Sequence, residues 1–382
     1  MKDIHHILSA LKNSSAPFVL ATVVKTTGST YRRAGARALI HSDGSTTGLI
    51  SGGCLERDLF ERAQKVFADG MPCVITYDTE KTNDVVWGLG LGCPGKVYIL
   101  LELIPKNTIP EQITFIANVL EQRERAAMAT LFSTKMSDTS KASDISSQRV
   151  MLTENGTAQH SLPDKSLAAQ IIADCHIALD TEKSFPKSYS KGVLEAFIEF
   201  IHPPLSLIIF GAGADAVPVV RFAKELGWSV SVVDSRESFL SKAHFPEADA
   251  LLQSDPGVLP PSLALSPSDF ALVMTHNYEQ DFHLLTSLLS TPVQYIGLLG
   301  PRSKSEMMCR RMREEQKMSD TSKVSDILID EERLNAVHNP AGLDLGTETP
   351  EEIALSIIAE IKAVSAKRKG APLRTLTTPI HG

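Results

Sequence analysis

The chain is poor in the features that mark several large protein classes. Its five cysteines, Cys54, Cys73, Cys93, Cys175 and Cys309, are odd in number and scattered, with no C-x-x-C pair. That spacing argues against a disulfide framework and against a structural zinc site. No apolar run approaches the roughly eighteen residues of a membrane span, and Met1-Lys2-Asp3-Ile4-His5-His6 lacks the apolar stretch of a secretory leader. A cytoplasmic protein is expected. Positive charge is not in excess either: a formal net charge of -7 argues against a general nucleic-acid binder, while leaving room for a local basic pocket.

What is present is an ordinary globular composition over 382 residues, more than one core usually supports, so at least two domains are expected. The densest chemistry lies early. Gly28-Ser29-Thr30-Tyr31-Arg32-Arg33-Ala34-Gly35-Ala36-Arg37 is followed, after one apolar strand, by Ser51-Gly52-Gly53-Cys54-Leu55-Glu56-Arg57-Asp58. Glycines let a ligand approach the backbone, arginines fork onto phosphate or carboxylate, and a cysteine opening a helix has its thiolate favoured by the helix dipole. The members also have plainer readings: Gly52-Gly53 as a strand-to-helix turn, Cys54 as a small buried hydrophobe, and Arg32, Arg33 and Arg37 as partners for Glu56 and Asp58. As a cluster they suggest a site for an anionic small molecule.

Periodicity predicts a helix over residues 2–12, a strand over 18–24, a hairpin of 36–41 with 46–51 turning at Asp43-Gly44, and a helix from Cys54 to a stop at Gly70. Strands at 73–77 and 97–104 flank a second glycine-rich loop, Trp87 to Gly95. That loop reads as a connector or as a second wall of the same pocket, with Cys93 facing Cys54. A helix over 110–125, strands at 126–133 and 149–153 that continue the sheet, and a helix over 166–178 complete an N-terminal mixed α/β domain of residues 1–195. Lys135 to Ile145 recurs almost letter for letter at Lys317 to Ile327. The segment is short, polar and aperiodic, so both copies read as inserted, solvated loops, near 135–147 and 317–327.

The second domain, residues 200–365, opens on the apolar strand Leu205 to Phe210, which runs into Gly211-Ala212-Gly213-Ala214-Asp215-Ala216. A helix to Gly227 and a strand ending at Asp234 follow. Strand, G-x-G-x-x-A, helix, strand and acid in register predict a doubly wound, Rossmann-like fold, with Asp234 placed for a ribose hydroxyl. Its ligand is NAD(P) or another phosphate-bearing nucleotide, and the helix N-terminus would serve any phosphate. Strands at 270–275 and 295–299 end near His276, Arg302 and Lys304, which the topology sends to the crevice. Residues 366–382 read as a flexible tail.

The motifs together resemble the XdhC/CoxI family, the accessory proteins of xanthine dehydrogenase and related molybdenum hydroxylases. Gly28 to Arg37 and Gly48-Leu49-Ile50-Ser51-Gly52-Gly53-Cys54-Leu55-Glu56 are similar to its N-terminal signature. Phe210 to Gly213, Val233-Asp234-Ser235-Arg236, Met274-Thr275-His276, Tyr295 to Gly300, Gly342-Leu343-Asp344 and Thr349 to Ala354 follow the order of its C-terminal half. The resemblance implies a factor, rather than an enzyme, that binds molybdenum cofactor, assists its sulfuration and hands it to an apo-dehydrogenase. A cysteine desulfurase is an implied further partner. On that reading Arg32, Arg33 and Arg37 contact the anion, with Ser51, Gly52, Gly53 and Glu56 around it. Cys54 is a molybdenum- or sulfur-facing thiolate, Cys93 a weaker second, and Gly211, Gly213, Asp234, His276 and Arg302 line a nucleotide site. Ala214-Asp215 departs from the His that many relatives carry after Gly-Ala-Gly. The competing reading is an NAD(P)-dependent oxidoreductase working with Cys54 or His276. A homodimer is expected on base rate.

Overall fold

A computed structural model describes residues 2–53, 55–78, 95–133, 148–190, 194–320, 333–334 and 337–377. The chain divides into two units, Met1–Pro203 and Pro204–Gly382.

The first unit stacks two antiparallel sheets face to face. One comprises β1 (Phe18–Gly28), β2 (Arg37–Ile40), β3 (Thr46–Gly48), β4 (Cys73–Asp78) and β5 (Gly95–Ile104), in the order β3-β2-β1-β5-β4. The other comprises β6 (Ala126–Phe132), β7 (Arg149–Thr153), β8 (Ala158–His160), β9 (Phe185–Tyr189) and β10 (Leu194–Ile201), in the order β8-β7-β6-β10-β9. The strands at 126 and 149 therefore do not extend the first sheet, as the sequence suggested. They build a second, because β6 pairs with β7 and β10. β6 is buried along its whole length, so apolar periodicity alone could not say which surface it meets.

Alternation of side chains organises the layers. Val19, Ala21, Ala38, Ile40, Ile99 and Leu101 face α2 (Glu56–Asp69), against Leu59, Ala63 and Val66. Ala127, Ala129, Leu131, Val150 and Ile198 face α4 (Lys165–Thr181), against Ala168, Ile171 and Cys175. Between the sheets, Phe18, Leu20, Leu39 and Ile104 meet Ala126, Met128, Met151 and Ile201, closed by α1 (Lys2–Asn13) and α3 (Glu111–Gln122). Each large side chain buried this way stabilises by about 1.5–3 kcal/mol. α2 stops at Gly70, whose φ of 72° is the left-handed cap that favours glycine.

The second unit is a parallel sheet of β11 (Ser206–Phe210), β12 (Ser229–Asp234), β13 (Ala250–Gln253), β14 (Asp269–Val273) and β15 (Tyr295–Leu298), in the order β13-β12-β11-β14-β15. This is the 3-2-1 strand order of a Rossmann half with two further strands, β14 and β15, added beside β11. α5 (Ala216–Glu225) and α8 (Pro350–Ser365) cover one face, and α6 (Tyr278–Leu289) and α7 (Arg302–Asp320) the other. The start of the second polar repeat, Lys317–Asp320, is helical rather than loop, because α7 continues into it. A nucleated helix extends by one hydrogen bond for each residue it orders. The rest of that copy to residue 327 and the first copy, residues 135–145, lie outside the described residues.

Candidate functional site

In the first unit the two signature turns meet. A Cβ added at Gly52 would touch the Tyr31 ring at 3.4 Å, so the 28–35 turn lies against the 51–55 turn. Ser51 and Glu56 hold the second turn closed. The Glu56 carboxylate accepts from the Ser51 backbone N–H at 3.1 Å, the Ser51 hydroxyl at 2.6 Å and the Leu55 N–H at 3.1 Å. This satisfies donors at the start of α2, much as a capping box does. Gly53 has φ 103°, with open space where a side chain would stand. Tyr31 is 62% exposed beside it.

The three arginines are used differently. Arg32 donates to Asp3 of α1 at 2.6 Å. Arg37 points between the sheets, where its guanidinium takes Glu199 of β10 with both amino groups and also donates to the Gly35 carbonyl at 2.8 Å. Burial pulls the Arg37 pKa down, but the charge of Glu199 and its hydrogen bond outweigh burial and raise it above the usual value. Gly35 is demanded by this pair: at φ 96° its Cβ would stand 2.8 Å from Glu199 Oε1. Arg33 is exposed and makes no ion pair among the described residues. Cys54 and Cys93 lie outside the described residues. The described cysteines, Cys73, Cys175 and Cys309, are free thiols, and no group of three or more metal-ligating side chains occurs among the described residues.

In the second unit Gly211, Gly213, Asp234 and His276 converge at the carboxyl edge of the parallel sheet. A Cβ at Gly211 would collide with the Met274 carbonyl, so only glycine lets β11 leave past β14. Asp234 is committed. Its Oδ2 accepts the Ala212 N–H at 2.7 Å, and Arg236 binds both oxygens through Nε and Nη2. Burial pushes the Asp234 carboxyl up, but Arg236 and these N–H groups overcome it and hold it below the usual carboxylate range. His276, at φ 59°, sets Nε2 2.7 Å from Asp215 Oδ2. Arg302 stands on the exposed first turn of α7, paired with Glu306 at 3.2 Å.

The sequence placed Lys304 at the crevice but gave no sign of its partner, Asp281. Asp281 is fully buried; it accepts the Thr275 hydroxyl at 2.6 Å and the Lys304 ammonium, which also donates to the Leu299 carbonyl at 3.0 Å. The pair fastens the ends of β14 and β15 to α6 and α7. Glu199 and Asp215 carried no signal as partners of Arg37 and His276, because the separations are 162 and 61 residues.

Both halves of the chain are similar to known proteins. A model described as the XdhC and CoxI family matches residues 11–78, and one described as the XdhC Rossmann domain matches residues 207–361. A Bacillus subtilis (strain 168) protein, named as a probable subunit of xanthine dehydrogenase, is 31% identical over 363 residues, spanning 94% of this chain and 97% of that one. The Escherichia coli (strain K12) "Uncharacterized protein YqeB" is 30% identical over 191 residues, half of this chain and 32% of that one. A crystal structure titled a xanthine dehydrogenase, from Bacillus halodurans, superposes with a TM-score of 0.72 at 27% identity, covering 99% of this chain and 98% of the other. With both halves matched in order and one relative aligned nearly end to end, the chain belongs to the XdhC and CoxI family, and its second unit carries the XdhC Rossmann domain.

Proposed function

We propose that this protein is an accessory factor of xanthine dehydrogenase-type molybdenum hydroxylases. It binds molybdenum cofactor, assists its sulfuration and passes it to the apo-enzyme, with a sulfur-donating cysteine desulfurase as a second partner. The observation that carries the reading is the kinship, along nearly the whole chain, to a protein whose name ties it to xanthine dehydrogenase.

The residues of the first unit fit an anionic ligand in part. Arg33 is exposed without an ion pair among the described residues, and Gly52 and Gly53 present backbone beside an exposed aromatic ring. Such a guanidinium and open glycine turn suit phosphate or a pterin edge. Arg37 and Arg32 are already neutralised by carboxylates, so Arg33 is the anion contact of the three. When bound, the cofactor supplies the molybdenum centre and its terminal sulfur; this chain binds it and shields it, and Cys54 is the proposed soft ligand next to the Gly52-Gly53 turn.

The test is a titration of the purified protein with molybdenum cofactor and, separately, with NAD(H) and NADP(H), repeated for Cys54→Ala. Cofactor binding that is lost in Cys54→Ala supports the factor. Tight nicotinamide binding with no affinity for molybdenum cofactor would overturn it in favour of an oxidoreductase.

A further inference from the structure

The last helix of the second unit, α8, packs inward through Ala354, Ile357, Ile358 and Ile361. Residues three and four apart share a helix face, so Glu351, Leu355, Ala359, Lys362 and Ala366 form one stripe down its outer side. Leu355 is 52% exposed in the middle of that stripe, and the small Ala359 one turn on is half-buried.

The charges on this side are sorted by sign. Glu348, Glu351 and Glu352 lie at the N-terminal end and Lys362, Lys367, Arg368 and Lys369 at the C-terminal end, all exposed. Both ends are held in place. The Glu352 carboxylate accepts from the Glu348 and Thr349 N–H groups at 2.8 and 3.0 Å. Beyond the helix, the Lys367 N–H donates to the Val364 carbonyl at 2.9 Å and the Arg368 N–H to the Ala363 carbonyl at 2.8 Å. Neither Glu351 nor Lys362 makes an ion pair among the described residues. Acids at the start of a helix and bases at its end suit the macrodipole of a single chain. The macrodipole does not call for a leucine exposed between them, and the basic run continues past the last helical residue, Ser365.

Turned end for end, the stripe complements itself. Two copies of α8 laid antiparallel about a twofold axis bring Leu355 of each over Ala359 of the other, where the small side chain lets the helices approach. The same register sets Glu351 of each copy against Lys362 of the other, since both pairs share a midpoint close to Ile357. A parallel arrangement would set like charges together. We propose that this face of α8 is a docking surface for a second copy of the same chain, held by Leu355 on Ala359 and flanked by the two Glu351–Lys362 pairs. A helix of 16 residues is about 24 Å long, so the contact is small and the dimer weak and salt-sensitive.

The test is sedimentation of the full-length protein from about 1 to 100 µM, in low salt and in about 0.5 M NaCl. Wild type is compared with Lys362→Glu, Leu355→Glu and the double variant of Glu351→Lys with Lys362→Glu. All three positions are exposed, so each variant is expected to fold, and thermal melts check this. Wild type is expected to dimerise in low salt and to dissociate in high salt. By symmetry Lys362→Glu sets two glutamates against two others, which weakens the dimer about tenfold or more. Leu355→Glu has the same effect, and the double variant returns to within about threefold of wild type because its charges are again opposed. A chain that stays monomeric throughout overturns the proposal and leaves the face to a different protein. A dimer indifferent to Lys362→Glu and Leu355→Glu also overturns it, as does one that the double variant fails to restore.

Discussion

Arg37 of β2 and Glu199 of β10 join the two sheets of the first unit through a two-point ion pair, 162 residues apart in sequence. Two further pairs cross the same gap, Arg149 with Glu102 and Lys25 with Glu195. The inter-sheet layer thus has an apolar end around Phe18 and Met128 and a charged end around Arg37.

Removing one partner strands a buried charge. Arg37→Ala is expected to destabilise by about 3–5 kcal/mol in urea denaturation, whereas a double change of Arg37 and Glu199 to methionine is expected to fall near wild type. Gly35→Ala should cost more than about 1 kcal/mol, for strain at φ 96° and for displacing Glu199. A wild-type denaturation midpoint for Arg37→Ala would show that the pair does not hold the sheets together.

Arg33 is the contrasting case. As an exposed residue with no ion pair among the described residues, its change to alanine should move stability by no more than about 0.5 kcal/mol. The same change should lower affinity for molybdenum cofactor about tenfold, the loss of one charge-assisted contact of roughly 1.5 kcal/mol. Fluorescence titration of the cofactor beside a thermal melt separates the two effects. Unchanged affinity would remove Arg33 from the site.

The Lys304–Asp281 pair makes a similar demand in the second unit. Asp281 is fully buried, so Lys304→Met leaves its carboxylate without its counter-charge at the ends of β14 and β15. A loss of about 3–5 kcal/mol is expected, with the largest rise in amide exchange at Thr275 and Leu299. Exchange that rises evenly over the unit would argue against a local fastening.

Asp234 predicts an acid dependence. Its carboxyl is held below the usual range in the folded chain, so its contribution is complete above the unfolded value of about 3.9 and is lost as pH falls through the folded value. Between neutral pH and that acid window, urea stability should fall less steeply in Asp234→Asn than in wild type. Equal slopes would mean that the Arg236 and Ala212 contacts do not favour the ionised form.

Thiol reactivity offers a check on burial. Burial first, and then the charge of Asp174, push the Cys175 thiol up to about 12. Iodoacetamide at pH 8 should therefore leave Cys175 unmodified in the native protein and label it after denaturation, as read by peptide mass spectrometry. Native labelling at Cys175 would contradict the packing of α4 on the second sheet.

Much of the second unit was legible in the chain. The run from Leu205 to Asp234 encodes its strand, glycine turn, helix and acid within a short local span, and each signal reinforces the next. α6 and α7 were harder to see. α7 is predominantly charged outside Met308, Met312 and a few neighbours, and α6 follows directly on the Thr275-His276-Asn277 loop. In the first unit the hairpin and α2 were readable from Asp43-Gly44 and Gly70. The second sheet was not, because β6 takes β10 as its partner from far along the chain, a pairing that no local pattern records.

The sequence by itself determined the elements around its glycine turns, the Rossmann character of the second half and the family, since periodicity, glycine turns and ordered motifs are properties of neighbours along the chain. Tertiary structure alone decided what the polar residues do. Arg37 reads as a ligand contact until β10 brings Glu199 to it, and His276 reads as a crevice residue until the loop after Gly211 brings Asp215 to it. A charge is defined by what lies within a few ångströms of it, and those neighbours come from distant strands whose pairing no local pattern records.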